Sequence, residues 1–129
     1  MHKKVLFHTE QLNFRGTTNS ILDYAKYNRE ILGNESAIMY SSVNPPGTDV
    51  ATYEEVVEKV KGLYPVYTYA DFAEANKIAE NYDLCYSQRE GLSKDRHTGF
   101  PYLSIKSTKF GVHSVFQWYD PHGDLYAYI

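Results

Sequence analysis

Two hydrophobic rhythms alternate along the chain. KVLFHT (Lys4–Thr9) is a short apolar run bounded by polar residues, the pattern of a buried strand. After a polar loop, 10–18, Ile21, Leu22, Ala25, Ile31 and Leu32 recur at helical spacing, with Thr17 or Thr18 as N-cap and Gly33-Asn34 as the stop. SAIMYS (36–41) predicts a second strand, and VNPPGTD (43–49) a loop, since prolines and glycine suit no ladder. Thr52 and Glu55 have the spacing of a capping box for a second helix, whose stripe is Val56, Val57, Val60 and Leu63 and whose end is marked by Gly62.

PVYTY (65–69) predicts a third strand. Asp71 caps a third helix carrying Phe72, Ala75, Ile78 and Ala79, and DLCYS (83–87) predicts a fourth strand. From 88 to 108 charge and turn residues dominate, leaving room for at most a short helix. KFGVHSVF (109–116) predicts strand five, QWYDPHGD (117–124) a loop, and LYAYI (125–129) strand six. Alternation at this spacing calls for a mostly parallel sheet of about six strands with helices on both faces and right-handed crossovers, a Rossmann-like α/β sandwich. With the common strand order 3-2-1-4-5-6 the chain reverses direction between strands one and four, and the crevice beyond their C-terminal ends is the default binding site.

The chain of 129 residues fits a single domain spanning 1–129. Thirteen basic against sixteen acidic residues, a net charge of -3, argue against a nucleic-acid surface built on phosphate neutralisation. The lone Cys85 excludes an internal disulfide and a cysteine-based zinc site, and points to a reducing, cytoplasmic setting. MHKKVLFHTEQL fits neither a signal peptide nor a membrane span. Thirteen tyrosines are unusual; several fall in predicted strands, where aromatic residues pack well, and the alternative is a sugar- or partner-binding face.

The loop after strand one lies on the rim of the predicted crevice. Neither the G-x-x-x-x-G-K-[ST] nor the G-x-G-x-x-G phosphate-binding pattern is present. Gly16 alone would let the backbone pass close to a ligand, and the N–H groups of the first helical turn would face an anion or a hydroxyl; a plain surface turn is the competing reading.

FHTEQLNFRGTTNSILDYAKYNREILGNES at the start and GVHSVFQWYDPHGDLYAYI at the end resemble the N-terminal half of GT-B-fold glycosyltransferases related to the glycosyltransferase 1 and 4 families. The likeness covers both ends well and the middle poorly, and Thr18 stands where relatives often carry glutamate. It implies a two-domain enzyme in which this half helps bind an acceptor glycan or other hydroxyl acceptor, while a second Rossmann domain, outside this chain, grips a nucleotide-sugar donor. The isolated chain is then expected to be inactive and, with strand six left uncovered, to self-associate.

Glycosyl transfer needs an acceptor hydroxyl held in line with the anomeric carbon, stabilisation of the departing diphosphate and, when it inverts, a base. His113 on strand five, matching a strand-five histidine of the family, is the first candidate base, since histidine as a residue type exchanges protons near neutrality. Its competing role is a core histidine between Val112 and Val115. Glu90 is the second candidate base. Arg15, Gly16 and Thr17 on the first loop, and Arg89 after strand four, are candidate substrate-binding residues, arginine offering a planar fork to phosphate oxygens. His122 reads as part of a turn. The histidines show no i,i+4 pair and no D-x-D occurs, so neither metal nor cofactor is expected.

Two other readings compete: a non-catalytic binding or assembly module retaining the fold, and a small flavodoxin-like or nucleotide-binding protein. The second is weakened because the end of strand two offers serines where a dinucleotide site needs an acid.

Overall fold

The computed structural model describes residues 2–43, 52–96, 98–115 and 118–128. In chain order they form β1 (Lys4–Thr9), α1 (Gly16–Glu30), β2 (Glu35–Ser41), α2 (Glu54–Lys61), β3 (Val66–Tyr69), α3 (Phe72–Ala79), β4 (Leu84–Arg89), β5 (Lys109–Ser114) and β6 (Leu125–Tyr128). Most of the loop read at 43–49, and the residues Phe116, Gln117 and Ile129 read into the last loop and strands, lie outside the described residues. The six strands form one sheet in the order β3-β2-β1-β4-β5-β6, every pair parallel. The fold is Rossmann-like α/β, and the direction reverses between β1 and β4 as the alternation predicts.

Strand periodicity sorts the core into two faces. Val5 and Phe7 of β1 pack with Ile21 and Ala25 of α1 and Val56, Val57 and Val60 of α2. Leu6, one residue out of phase, packs on the other face with Ala75 and Ala79 of α3 and with Leu103 and Ile105. β1 is therefore covered on both sides, which is why it reads as a nearly unbroken apolar run.

The connection from β4 to β5 has no helix among its described residues, and its Leu103 and Ile105 pack on the α3 face. Asn76 of α3 holds it down: its amide donates to Ser104 O at 3.1 Å, and its Oδ1 accepts from Lys106 N at 2.7 Å and Ser107 N at 3.2 Å.

Several local readings change. β4 runs two residues past the predicted DLCYS, because Gln88 and Arg89 still pair with His113 and Ser114 of β5; Arg89 thus ends the strand and only Glu90 follows it. α1 starts at Gly16 with Arg15 as an N-cap whose side chain makes no capping bond. Thr18 is buried instead, its hydroxyl donating to Gln11 O at 3.2 Å and accepting from Asn13 N at 3.3 Å. The Thr52 capping box is not formed either, since Thr52 Oγ1 accepts from Leu12 N at 3.0 Å. Ile31 and Leu32, read into the apolar stripe, lie past the helix end and are 73% and 68% exposed.

Candidate functional site

At the C-terminal edge of the sheet β1 and β4 lie side by side, and their onward chains leave in opposite directions. The last paired residues are His8 and Ser87; Glu10 follows the end of β1, and Arg89 is the last residue of β4. His8, Ser87 and Arg89 share one parity, and it is that of the α3 face. His8 is fully buried, with Nδ1 hydrogen-bonded to Ser87 Oγ at 2.7 Å and Nε2 to Tyr69 Oη at 2.8 Å. Burial first, and the positive charge of Arg89 second, hold its pKa well below the ordinary histidine value, so the imidazole is neutral.

Arg89 is only 6% exposed. Its Nη2 donates to Ser87 Oγ and its Nη1 to His122 Nε2, each at 3.3 Å. His122 can accept there because its Nδ1–H donates to the Asp120 carbonyl at 2.6 Å, which fixes the tautomer. The rings of Phe110 and Tyr102 lie 5.3 and 5.9 Å from the guanidinium carbon. Arg89 Nε is buried with no hydrogen-bond partner among the described residues. Glu10, partly buried, is the foremost charge acting on Arg89, yet the two form no ion pair. Burial raises the Glu10 pKa, and Arg89 opposes the rise.

Glu90 follows directly and accepts from Tyr102 Oη at 2.9 Å. Gly91 then turns with φ +114°, where a Cβ would collide with the Trp118 carbonyl and the Ser114 hydroxyl. The fold requires a glycine here and not at Gly16, which is the first helical residue, has no positive φ and faces open space. Arg15 is exposed and Thr17 partly buried at the same helix start.

His113 lies on the opposite face. It pairs in register with Gln88, and both side chains project toward α1. Ser20 Oγ accepts from Gln88 Nε2 at 2.8 Å, Gln88 Nε2 also donates to Tyr86 Oη at 3.1 Å, and Tyr86 Oη is hydrogen-bonded to His113 Nδ1 at 2.6 Å. Burial pushes the Tyr86 pKa up to about 12, so the phenol keeps its proton. The sheet therefore divides the residues read from sequence. Arg89 belongs to the α3 side of the crevice, His113 is linked to Ser20 of α1 through Tyr86 and Gln88, and the two do not share one space.

His8, Glu10, Tyr69, Ser87 and Tyr102, which the sequence did not single out, complete the crevice together with His122, which it read only as part of a turn. His8, Glu10 and His122 fall inside the two quoted segments, but only strand order and register bring them together with Tyr69, Ser87 and Tyr102. Along the same edge Phe14, in the loop after β1, and Tyr53, at the start of α2, stack with ring centres 5.4 Å apart while 65% and 46% exposed. Among the described residues no group of three or more His, Cys, Asp or Glu could hold a metal ion, and no helix is long and apolar enough to cross a membrane. Comparison with known proteins finds no matching family model, curated protein or solved structure.

Proposed function

We propose that this domain is the acceptor-side half of a glycosyltransferase, holding a hydroxyl-bearing acceptor at the C-terminal edge of β1 and β4 while a second domain brings the nucleotide-sugar. One observation carries the reading. The two segments that resemble glycosyltransferases, far apart in the chain, converge on one buried arginine: HTEQ contributes Glu10 and PHGD contributes His122 beside Arg89. The exposed Phe14–Tyr53 pair suits the apolar face of a sugar ring, since aromatic rings cover apolar surface while a tyrosine tip stays hydrated.

In this reading Glu90 is the better placed of the two candidate bases. Tyr102 orients its carboxylate through one oxygen, and a carboxylate has further lone pairs to take a proton. His113 lies across the sheet from Arg89, hydrogen-bonded to Tyr86 and facing α1, at whose start Arg15, Gly16 and Thr17 would meet donor phosphates. The other reading, a binding or assembly module, is favoured by the apolar strip left open beside α1, between Tyr24, Ile31, Leu84 and Tyr86.

Amide-shift mapping of the chain with neutral oligosaccharides and with sugar nucleotides tests the proposal. Weak carbohydrate binding that moves signals around Glu10, Phe14 and Arg89 is the expected outcome. Sub-micromolar binding of a sugar nucleotide to this chain alone, or carbohydrate shifts confined to the far edge of the sheet, would remove it.

A further inference from the structure

The connection from β5 to β6 is tied down along its described length. Ser114 Oγ donates to Trp118 O at 2.9 Å, and the Asp120 carboxylate accepts from Ser93 N at 2.9 Å and Ser93 Oγ at 2.6 Å. Asp124 Oδ2 accepts from Phe110 N at 2.7 Å. His122 adds the tie to the crevice, through Arg89. Its ring is caught between two partners of fixed role. A guanidinium only donates, so Nε2, 3.3 Å from Arg89 Nη1, must carry a lone pair; a carbonyl only accepts, so Nδ1, 2.6 Å from Asp120 O, must carry the proton. These contacts admit one state of the ring, the neutral Nδ1–H tautomer.

A second proton would sit on Nε2 and turn that contact into donor against donor and cation against cation, beside an arginine only 6% exposed. The bond from Nδ1 to Asp120 O survives, because that N–H is present in both forms. We infer that His122 is a proton-operated latch between the β5–β6 connection and the crevice: neutral, it accepts from Arg89 and holds closed; protonated, it turns about its bond to Asp120 O and releases the guanidinium. The titratable and charged groups set against it are Arg89 from β4, Tyr126 from β6 with ring centres 5.5 Å apart, and Asp120 and Asp124 beside it in the chain, Lys94 acting on Asp120 from the β4–β5 connection. The other ties do not change with the same proton. Tyr126 donates its phenol proton to Gly91 O at 2.7 Å. The Asp120 carboxylate, held low first by its bonds from Ser93, is charged throughout the range in which an imidazole exchanges protons. His8, the other histidine near Arg89, has a pKa well below the ordinary value and stays neutral there.

Nitrogen-detected NMR of the whole chain between about pH 8 and 5 tests the latch. At the alkaline end the His122 ring should show the Nδ1–H tautomer. As His122 takes up its proton, the Arg89 side-chain N–H signals should shift with the same midpoint and the Arg89 side chain should become more mobile on the nanosecond scale. In His122→Gln, whose amide oxygen accepts from Arg89 at any pH, the Arg89 signals should stay still over that range. An Nε2–H tautomer at the alkaline end, or a His122 titration that leaves Arg89 unmoved, overturns the latch. So does an Arg89 transition that persists in His122→Gln, which would place its origin in His8. If His122→Gln does not fold, the wild-type tautomer and the shared midpoint of His122 and Arg89 still decide, with the His8 ring signals separating the two histidines.

Discussion

His8 is charged in water below about pH 6.5 but neutral in the fold, because it is sealed between Ser87 and Tyr69 with Arg89 close by. Its folded pKa is depressed below the ordinary 6.5, so the unfolded chain gains a proton as pH drops through 6.5 while the folded chain does not. The stability His8 lends is present above that pH and is lost below it, by about 1.4 kcal/mol per pH unit for one proton. Glu10 has the opposite sign. Its folded pKa is raised above 4.5, so its contribution is full below 4.5 and declines as pH climbs through the folded value. Urea unfolding at pH 7.5 and 5.5, in the wild type and in His8→Gln, separates the two. The wild type should lose stability toward pH 5.5 and the variant should lose clearly less; parallel profiles would mean that His8 is protonated in the fold.

The helix starts show how one residue type serves different ends. Asp71 is a true N-cap: its Oδ1 accepts from Glu74 N at 2.8 Å, and Glu74 Oε2 accepts from Ala70 N at 2.9 Å, so two otherwise open donors are satisfied. Thr18 and Thr52 look equally suited in sequence, yet both hydroxyls serve the loop after β1, holding Gln11, Leu12 and Asn13. That loop carries Glu10 to the crevice, so these threonines position the site rather than start helices. Asp71→Ala should therefore cost about 1 kcal/mol in chemical denaturation. It should leave the amide signals of residues 10–13 in place, and movement there would show that α3 and the crevice loop are coupled.

Handedness decides which surface of the whole molecule stays open. Right-handed crossovers carry the chain from β1 to β2 and β3 over one face, and from β3 to β4 and β5 over the other. α1 and α2 cover the first face above β1, β2 and β3 but leave Leu84, Tyr86 and His113 beneath an open groove of about 560 Å³ walled by Tyr24, Tyr27, Ile31 and Leu32 of α1 and its end. Such an apolar strip favours association. The chain should self-associate at high concentration in sedimentation equilibrium. The double variant Ile31→Glu, Leu32→Glu should move it toward monomer without lowering the melting temperature, because both side chains are already exposed. A wild type that stays monomeric at millimolar concentration would count against the strip as a contact surface.

Periodicity alone was enough for the elements and the sheet class. A parallel strand covered on both faces must be apolar throughout, as Val5, Leu6 and Phe7 are, and an amphipathic helix must repeat its apolar residues, as Val56, Val57 and Val60 do. The right-handed crossover rule then left few strand orders, and the observed one is the common order among them. The extension of β4 through Gln88 and Arg89 was not legible, because polar residues at a strand's end carry no periodic signal and only pairing with His113 and Ser114 reveals them. The crevice was legible as a place but not as a set of residues. Whether Arg89 meets Glu10 or His113 depends on strand parity and register, and a shift of one position sends a side chain through the sheet to the other face. The tertiary structure decided that Arg89 stands with His8, Glu10 and His122 while His113 stands with Tyr86 and Ser20, since only packing across strands distant in sequence determines which side chains share a space.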